Sequence, residues 1–218
     1  VIMCVGNDND VRSVVYGDAG VLATLAPGAV LIDHTTASAE LARELAAACA
    51  KIGVQFFDAP VSGGQLGAQN GQLTIMMGGA EEAMVIVEPV LKCYARSMRL
   101  LGAHGAGQLA KMVNQISIAG VVQGLAEGLH FAQKAGLDAK AVLDVISKGA
   151  AQSWQMENRG YTMVEGQFDF GFAVDWMRKD LGITLDEARK NGAQLPLTAL
   201  VDQFYAELQA LGANRQDT

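Results

Sequence analysis

The feature that most limits what this chain can fold into is the run 105–136, GAGQLAKMVNQISIAGVVQGLAEGLHFAQKAG. It opens on a glycine-spaced turn and continues as one long, mostly apolar helical run. Lys111 and Asn114 lie near its start, among Leu109, Ala110, Met112, Val113 and Ile116. Residues three apart share a helix face, so the two side chains point the same way. Two readings are open. Lys111 can snorkel to the surface at a helix end, or the pair can line a cleft as catalytic groups. Burial depresses a lysine's pKa in general and suits it to proton transfer.

The 218 residues suffice for one large domain or two small ones. Half are hydrophobic, enough for a sizeable core. The net charge of −7, with no Lys/Arg-rich run, argues against nucleic acid and anionic membranes as partners. Cys4, Cys49 and Cys93 are far apart and form no C-x-x-C pair. That suits a reducing cytosol and predicts a cytoplasmic protein with neither disulfide nor zinc site. His34, His104 and His130 show no metal-ligand spacing. Asn114, Gln115, Gln123 and Glu127 interrupt the apolar run from Met112, so no membrane span is expected. No signal peptide is visible. The chain opens inside an apolar run without an initiator Met, and reads as a piece of a longer polypeptide.

In chain order, residues 1–5 read as a fully buried strand, followed by a polar turn and an amphipathic helix with an Asn/Asp cap. Residues 29–33 are a second buried strand. Ser38 then caps a helix running to about Ile52, and residues 54–59 are a third strand. Strand–helix–strand alternation with short polar turns predicts a parallel sheet with right-handed crossovers. Ligands of such sheets bind beyond the carboxyl ends of the strands, so the turns 6–10, 34–36 and 60–64 are expected along one crevice edge. Residues 81–94 are a helix and 98–101 the last strand. Beyond Leu101 only helices are predicted: one capped by Asp138, then 154–165, 175–191, and one starting at Pro196, an N1 proline.

The stretch 58–79, DAPVSGGQLGAQNGQLTIMMGG, holds six glycines. Ser62, Gly63 and Gly64 offer a hydroxyl and consecutive unobstructed N–H groups, a nest for a carboxylate or phosphate. A flexible loop, or a hairpin turn at Asn70–Gly71 before the strand 73–77, is the other reading. G-x-S-x-G is absent, which excludes a nucleophile elbow.

Taken together, this stretch, GAHGAGQLAKMVNQ and WMRKDLGITLDEA resemble the β-hydroxyacid dehydrogenase family. The similarity is closest to its 3-hydroxyisobutyrate dehydrogenase and tartronate semialdehyde reductase branches. It covers essentially the whole chain in order, and GAQLPLTALV resembles the latter branch. The resemblance implies an α/β fold: a partial Rossmann-type parallel sheet domain over 1–104, then an all-α domain over 105–218 that includes the long interdomain helix. It implies 6-phosphogluconate dehydrogenase-like architecture, NAD or NADP as cofactor, and oxidation of a small 3-hydroxy acid or reduction of its semialdehyde. A homodimer or homotetramer formed by the all-α domain is also implied. By the same resemblance the catalytic lysine is Lys111 and its amide partner Asn114, with Gln115 as a substitute. Ser62, Gly63 and Gly64 hold the substrate carboxylate, and Lys179 of the KDL motif serves both substrate and cofactor. Val5, Gly6, Asp10 and Thr36 are the cofactor contacts. Two positions depart from the family pattern: Val5-Gly6 replaces Leu-Pro, and Asp10 replaces Asn. The family's G-x-G-x-x-G turn and its ribose-reading residue are absent from the 218 residues. A catalytically inactive scaffold and an imine reductase-like enzyme are the competing readings. Retention of Lys111 argues against both.

Overall fold

The computed structural model describes residues 1–218. They form two compact units, Val1–Val113 and Asn114–Thr218. In the first, β1 (Ile2–Met3), β2 (Val30–Asp33) and β3 (Gln55–Asp58) are parallel, as the alternation predicts. They are joined through α1 (Asp8–Val15) and α2 (Ala39–Ala50), whose starts are capped by Asn7 and Ser38. β1 is shorter than expected and not fully buried. It pairs only with β2, and Val1 and Ile2 are 58% and 45% exposed.

Past β3 the sheet changes direction. β4 (Val61–Ser62), α3 (Gly64–Gln69) and β5 (Leu73–Gly79) follow, and β5 runs antiparallel to both β3 and β4. Ala59–Pro60 interrupts one extended run whose two parts, β3 and β4, pair with opposite ends of β5; proline has no N–H to continue a ladder. The hairpin read at Asn70–Gly71 is therefore a longer connection carrying α3. The helix expected over 81–94 is a 3₁₀ turn, Glu81–Ala83, plus α4 (Met84–Leu91). β6 (Ala95–Leu100) closes the sheet parallel to β5.

Successive strand residues serve opposite cores, as a sheet covered on both faces requires. Leu31 and Phe56 pack with Val11, Val15, Leu41 and Leu45 of α1 and α2. Ile32 and Phe57 pack with Ile75, Met77, Val87 and Leu91. Each such side chain contributes about 1.5–3 kcal/mol by leaving water.

β2 and β3 end on Asp33 and Asp58, which face each other in register. Both are buried, at 2% and 0% exposed. Asp58 accepts from the backbone N–H of Gly105 (2.8 Å) and of Gln108 (3.0 Å) at the start of α5 (Ala106–Lys134). Gly78 and Gly107 make this approach possible. A Cβ on Gly107 would lie 2.5 Å from Met76 O and 2.6 Å from Asp58 O.

The second unit continues α5 and adds α6 (Ala139–Ile146), α7 (Trp154–Glu165), α8 (Val174–Asn191) and α9 (Pro196–Ala210). Ala119, Val174, Met177, Leu181, Val201 and Tyr205 form one core. Leu125, Leu129, Ala139, Leu143 and Met156 form another. The sequence shows no strand beyond Leu101, yet the tail adds one bridge, Ala173 to Asp217. Asp217 there accepts from Phe172 N–H (2.6 Å) and pairs with Arg159 (2.5 Å). Gly120, Gly124 and Gly128 line α5 at every fourth position. A Cβ on Gly120 would meet Leu197 of α9 at 3.1 Å; on Gly124 or Gly128 it would meet nothing. No helix is long and apolar enough to cross a membrane.

Gly107→Ala should destabilise the protein by about 1–3 kcal/mol, because the added methyl meets carbonyl oxygens that cannot move aside. A fall in the urea midpoint checks this. Burial lifts Asp33 to about 6, against hydrogen bonds from Thr35 that pull it down and the neighbouring Asp58, which adds to the rise. An unfolded aspartate titrates near 3.8. Between those values the folded chain keeps a proton that the unfolded chain has lost, so stability falls as pH rises through that window and levels off above it. The Asp33 share is about 3 kcal/mol, at about 1.36 kcal/mol per pH step. Asp33→Asn keeps an oxygen for Thr35 N–H and should flatten urea midpoints measured from about pH 4 to about pH 6.5.

Candidate functional site

The carboxyl ends of β1 and β2 carry two turns that are tied to each other. Val5 N–H donates to Thr35 Oγ1 at 2.9 Å. Asp8, at the first turn of α1, accepts from Ser38 N–H (2.9 Å) and Ser38 Oγ (2.6 Å). Asn7 Oδ1 accepts from Asn9 and Asp10 N–H, while its Nδ2 donates to Asp10 Oδ2 at 2.9 Å. The expected cofactor contact Asp10 thus spends one carboxylate oxygen on its own helix cap. Val5, Gly6 and Thr36 lie in these two turns, next to the strands that position them. Fixed backbone, a glycine and a hydroxyl at the ends of adjacent parallel strands fit a share of a dinucleotide site.

The third turn is held by a residue the sequence reading left unassigned. His34, 8% exposed, follows β2 directly. Its Nδ1 lies 2.6 Å from Ala59 O and its Nε2 lies 2.8 Å from Tyr94 Oη. A carbonyl only accepts, so Nδ1 carries the proton and donates. Burial pulls the His34 pKa down, against the Ala59 bond that raises it, so the ring is neutral and Nε2 accepts from Tyr94. Ala59 N–H in turn donates to Asp33 O at 2.7 Å. The corner leading into Ser62 is therefore fixed from both sides. Ser62 ends β4 opposite Thr74. Gly63 and Gly64 follow at φ of 127° and 60°, a backbone other residues rarely adopt. Space in front of Gly64 is open.

Along α5 the polar positions Gln108, Lys111 and Gln115 are spaced three and four apart and are 1%, 6% and 1% exposed. One buried stripe thus holds all three. Gln108 joins α5 to the second turn: its Oε1 accepts from Ala37 N–H (3.0 Å) and its Nε2 donates to Thr35 O (2.7 Å). A glutamine in the first turn of so apolar a helix was the available sequence signal for it. Lys111 is buried, so the snorkelling reading does not hold.

Asn114, half-buried, donates from Nδ2 to Gln115 Oε1 at 2.8 Å. Gln115 Nε2 donates to Asp180 Oδ2 at 2.7 Å and lies 3.7 Å from Met177 Sδ. Lys179 Nζ is 3.0 Å from Asp180 Oδ1 and 5.8 Å from the centre of the Trp176 ring. Asn114 and Lys179 thus belong to one network, of which Gln115 and Asp180 are the buried middle. No three His, Cys, Asp or Glu side chains gather as they would around a metal ion.

Residues 1–102 match the family model for the NAD-binding domain of 6-phosphogluconate dehydrogenase. Residues 105–218 match that for the NAD-binding region of NADP-dependent 3-hydroxyisobutyrate dehydrogenase. An uncharacterized oxidoreductase of Shewanella frigidimarina is 65% identical over all 218 residues, which span 75% of its length. The Arabidopsis thaliana probable 3-hydroxyisobutyrate dehydrogenase-like 1, a mitochondrial protein, is 43% identical over 213 residues, covering 97% of this chain and 64% of its own. The crystal structure of 3-hydroxyisobutyrate dehydrogenase from Salmonella typhimurium superposes with a TM-score of 0.88 at 33% identity, covering 99% of this chain and 75% of that one. Two adjoining family models and a close full-span relative leave one assignment: the chain belongs to the β-hydroxyacid dehydrogenase family of NAD(P)-binding oxidoreductases.

Proposed function

We propose that this chain carries the substrate-handling residues of an NAD(P)-dependent dehydrogenase acting on a small 3-hydroxy acid or its semialdehyde, of the 3-hydroxyisobutyrate or tartronate semialdehyde type. The observation that carries the reading is Lys111, a lysine 6% exposed in a stripe with two buried amides, Gln108 and Gln115. A lysine held among amides on an otherwise apolar helix face is a side chain suited to moving a proton to and from an alcohol oxygen. Lys111 takes the hydroxyl proton during oxidation and returns it during reduction. Asn114 orients the hydroxyl or Lys111. Ser62 Oγ and the N–H groups of Gly63 and Gly64 hold the substrate carboxylate, and Lys179 adds positive charge for it. Val5, Gly6, Thr36 and Asp10 form this chain's share of the cofactor site, with Lys179 as a further contact. The nicotinamide, when bound, supplies the hydride acceptor or donor.

The second unit supports a homodimer or homotetramer built mainly on residues after about 105. Gly124 and Gly128 face open space beside Phe131, which is 71% exposed. On α9, Leu197, Leu200 and Leu208 are exposed and lie along one side, and the exposed Leu211 follows just past its end. Small residues let a second helix approach closely.

In the complete enzyme, Lys111→Ala should lower turnover by roughly 10²–10⁴-fold while cofactor titration is unchanged. Activity on 3-hydroxy acids that survives the substitution would remove Lys111 from the mechanism. Light scattering at micromolar concentration should show a dimer or tetramer. Gly124→Leu should then weaken assembly, and unchanged mass and melting temperature would show that nothing approaches this face.

A further inference from the structure

The start of α8 is capped from outside its own sequence. Its N-cap residue, Ala173, has no side-chain acceptor to offer. The first two N–H groups of the helix donate instead to backbone carbonyls of the segment after α9. Val174 N–H donates to Gln216 O at 2.9 Å, and Asp175 N–H to Asn214 O at 3.1 Å. Asn214 Nδ2 adds a bond to Asp175 Oδ1 at 3.0 Å. Helix-start N–H groups need partners, so these bonds hold the segment in one register. Arg215 lies between the two anchored residues. Its backbone is placed by bonds that do not involve its side chain.

The exposed guanidinium of Arg215 has its Cζ 5.8 Å from the centre of the Trp176 ring, within cation–π range. Lys179 Nζ lies 5.8 Å from the same centre. Trp176 and Lys179 are three apart and share a face of α8. Two cations thus stand at one indole, itself 37% exposed. Their charges are not equivalent. Lys179 Nζ is 3.0 Å from Asp180 Oδ1, which offsets much of its charge. The other three arginines of the second unit also meet aspartates: Arg159 with Asp217, Arg178 with Asp202 and Arg189 with Asp186. Arg215 meets an aromatic ring and no carboxylate. The uncompensated positive charge at this indole is therefore that of Arg215, whose planar fork matches a carboxylate bidentately.

We propose that Arg215 is a specificity residue of the substrate site. With Lys179 adding charge for the first carboxylate, Arg215 binds a second one, and the enzyme prefers 3-hydroxy acids with two carboxylates over those with one. This narrows the substrate class of the proposed function and rests on the reading that Lys179 meets the substrate. The Trp176 ring that both cations touch gives an apolar surface for the carbons joining the two carboxylates.

The test uses the complete enzyme and two matched substrates, 3-hydroxyisobutyrate and 2-(hydroxymethyl)succinate, which carries a carboxylate on the methyl carbon of the former. The wild type should show the higher kcat/KM for the diacid. In Arg215→Gln the ratio of diacid to monoacid should fall by about 3- to 10-fold, between the worth of an exposed ion pair and that of a charge-assisted hydrogen bond. Arg215→Lys keeps the charge and should restore part of the ratio. Added salt should lower the ratio more steeply in the wild type than in Arg215→Gln. The anchoring bonds are backbone bonds, so both variants should keep the wild-type melting temperature. Equal changes in kcat/KM for the two acids would overturn the proposal. So would a change confined to the KM of the cofactor, which would make Arg215 a phosphate contact. A readout without turnover separates this inference from the proposed function. Succinate should raise the melting temperature more than propionate does, and Arg215→Gln should abolish the difference. That result without turnover of any 3-hydroxy acid would leave the Arg215 site standing and sink the proposed function. Turnover of 3-hydroxyisobutyrate with no difference between acids that depends on Arg215 would sink the Arg215 site alone.

Discussion

The structure of the first unit depends on one carboxylate. A helix N-terminus leaves backbone N–H groups without partners, and the residue before the helix usually supplies an oxygen for one of them. Gly105 precedes α5 and has no side chain. Its backbone, at φ of 94°, lies so close to Ala39 O that a Cβ would sit 3.1 Å away. Asp58, at the end of β3, provides the oxygen instead and reaches the N–H groups of Gly105 and Gln108. The cap of a 29-residue helix is thereby bonded to the sheet. The cost shows in the carboxyl group itself. Burial pushes Asp58 above the usual aspartate range even though two backbone N–H bonds pull it down. Charge-assisted bonds contribute about 1.5–3 kcal/mol each, and the positive end of the helix adds up to about 2 kcal/mol.

From that anchor the polar stripe of α5 acquires its position. Gln108 is the first residue whose N–H Asp58 takes within the helix, and its side chain binds the turn after β2. Lys111 follows one turn later, and Gln115 one turn beyond that. The spacing converts a fixed helix start into a fixed lysine. It also explains why the flanking groups are amides. Each can donate and accept, so Gln108 joins a turn and Gln115 joins a carboxylate.

Much of this was legible in the residues. The strands, the caps at Asn7, Ser38 and Asp138, Pro196 at N1 and the single long helix follow from local rules, because each depends on neighbours within a few positions. Lys111 and Asn114 stood out for the same reason, as polar groups in an apolar run. What the sequence hid were contacts across large separations. His34 to Ala59 and Tyr94, Asp58 to α5, and Gln115 to Asp180 join residues 25 to 65 positions apart. The reversal at β5 was hidden for another reason: the connection through α3 returns the chain beside β3 and β4 instead of crossing over, and no single residue marks that.

Three of the buried aspartates share one physical function. Asp33 fixes the N–H of Thr35, Asp58 fixes the start of α5, and Asp180 fixes the edge that Gln115 turns toward it. An asparagine would fill nearly the same volume with less desolvation, so burial alone does not explain the choice. The difference is ambiguity. An amide can satisfy a donor or an acceptor by turning over, and a network made only of amides has two directions of nearly equal energy. A carboxylate has one. Where one end of a network must show a particular edge, a buried charge with its own counter-ion removes the degeneracy, because one direction makes a charge-assisted hydrogen bond and the other sets oxygen against oxygen. Lys179 beside Asp180 is that counter-ion in the second unit. In the first unit the counter-charge for Asp58 is the positive end of α5 itself.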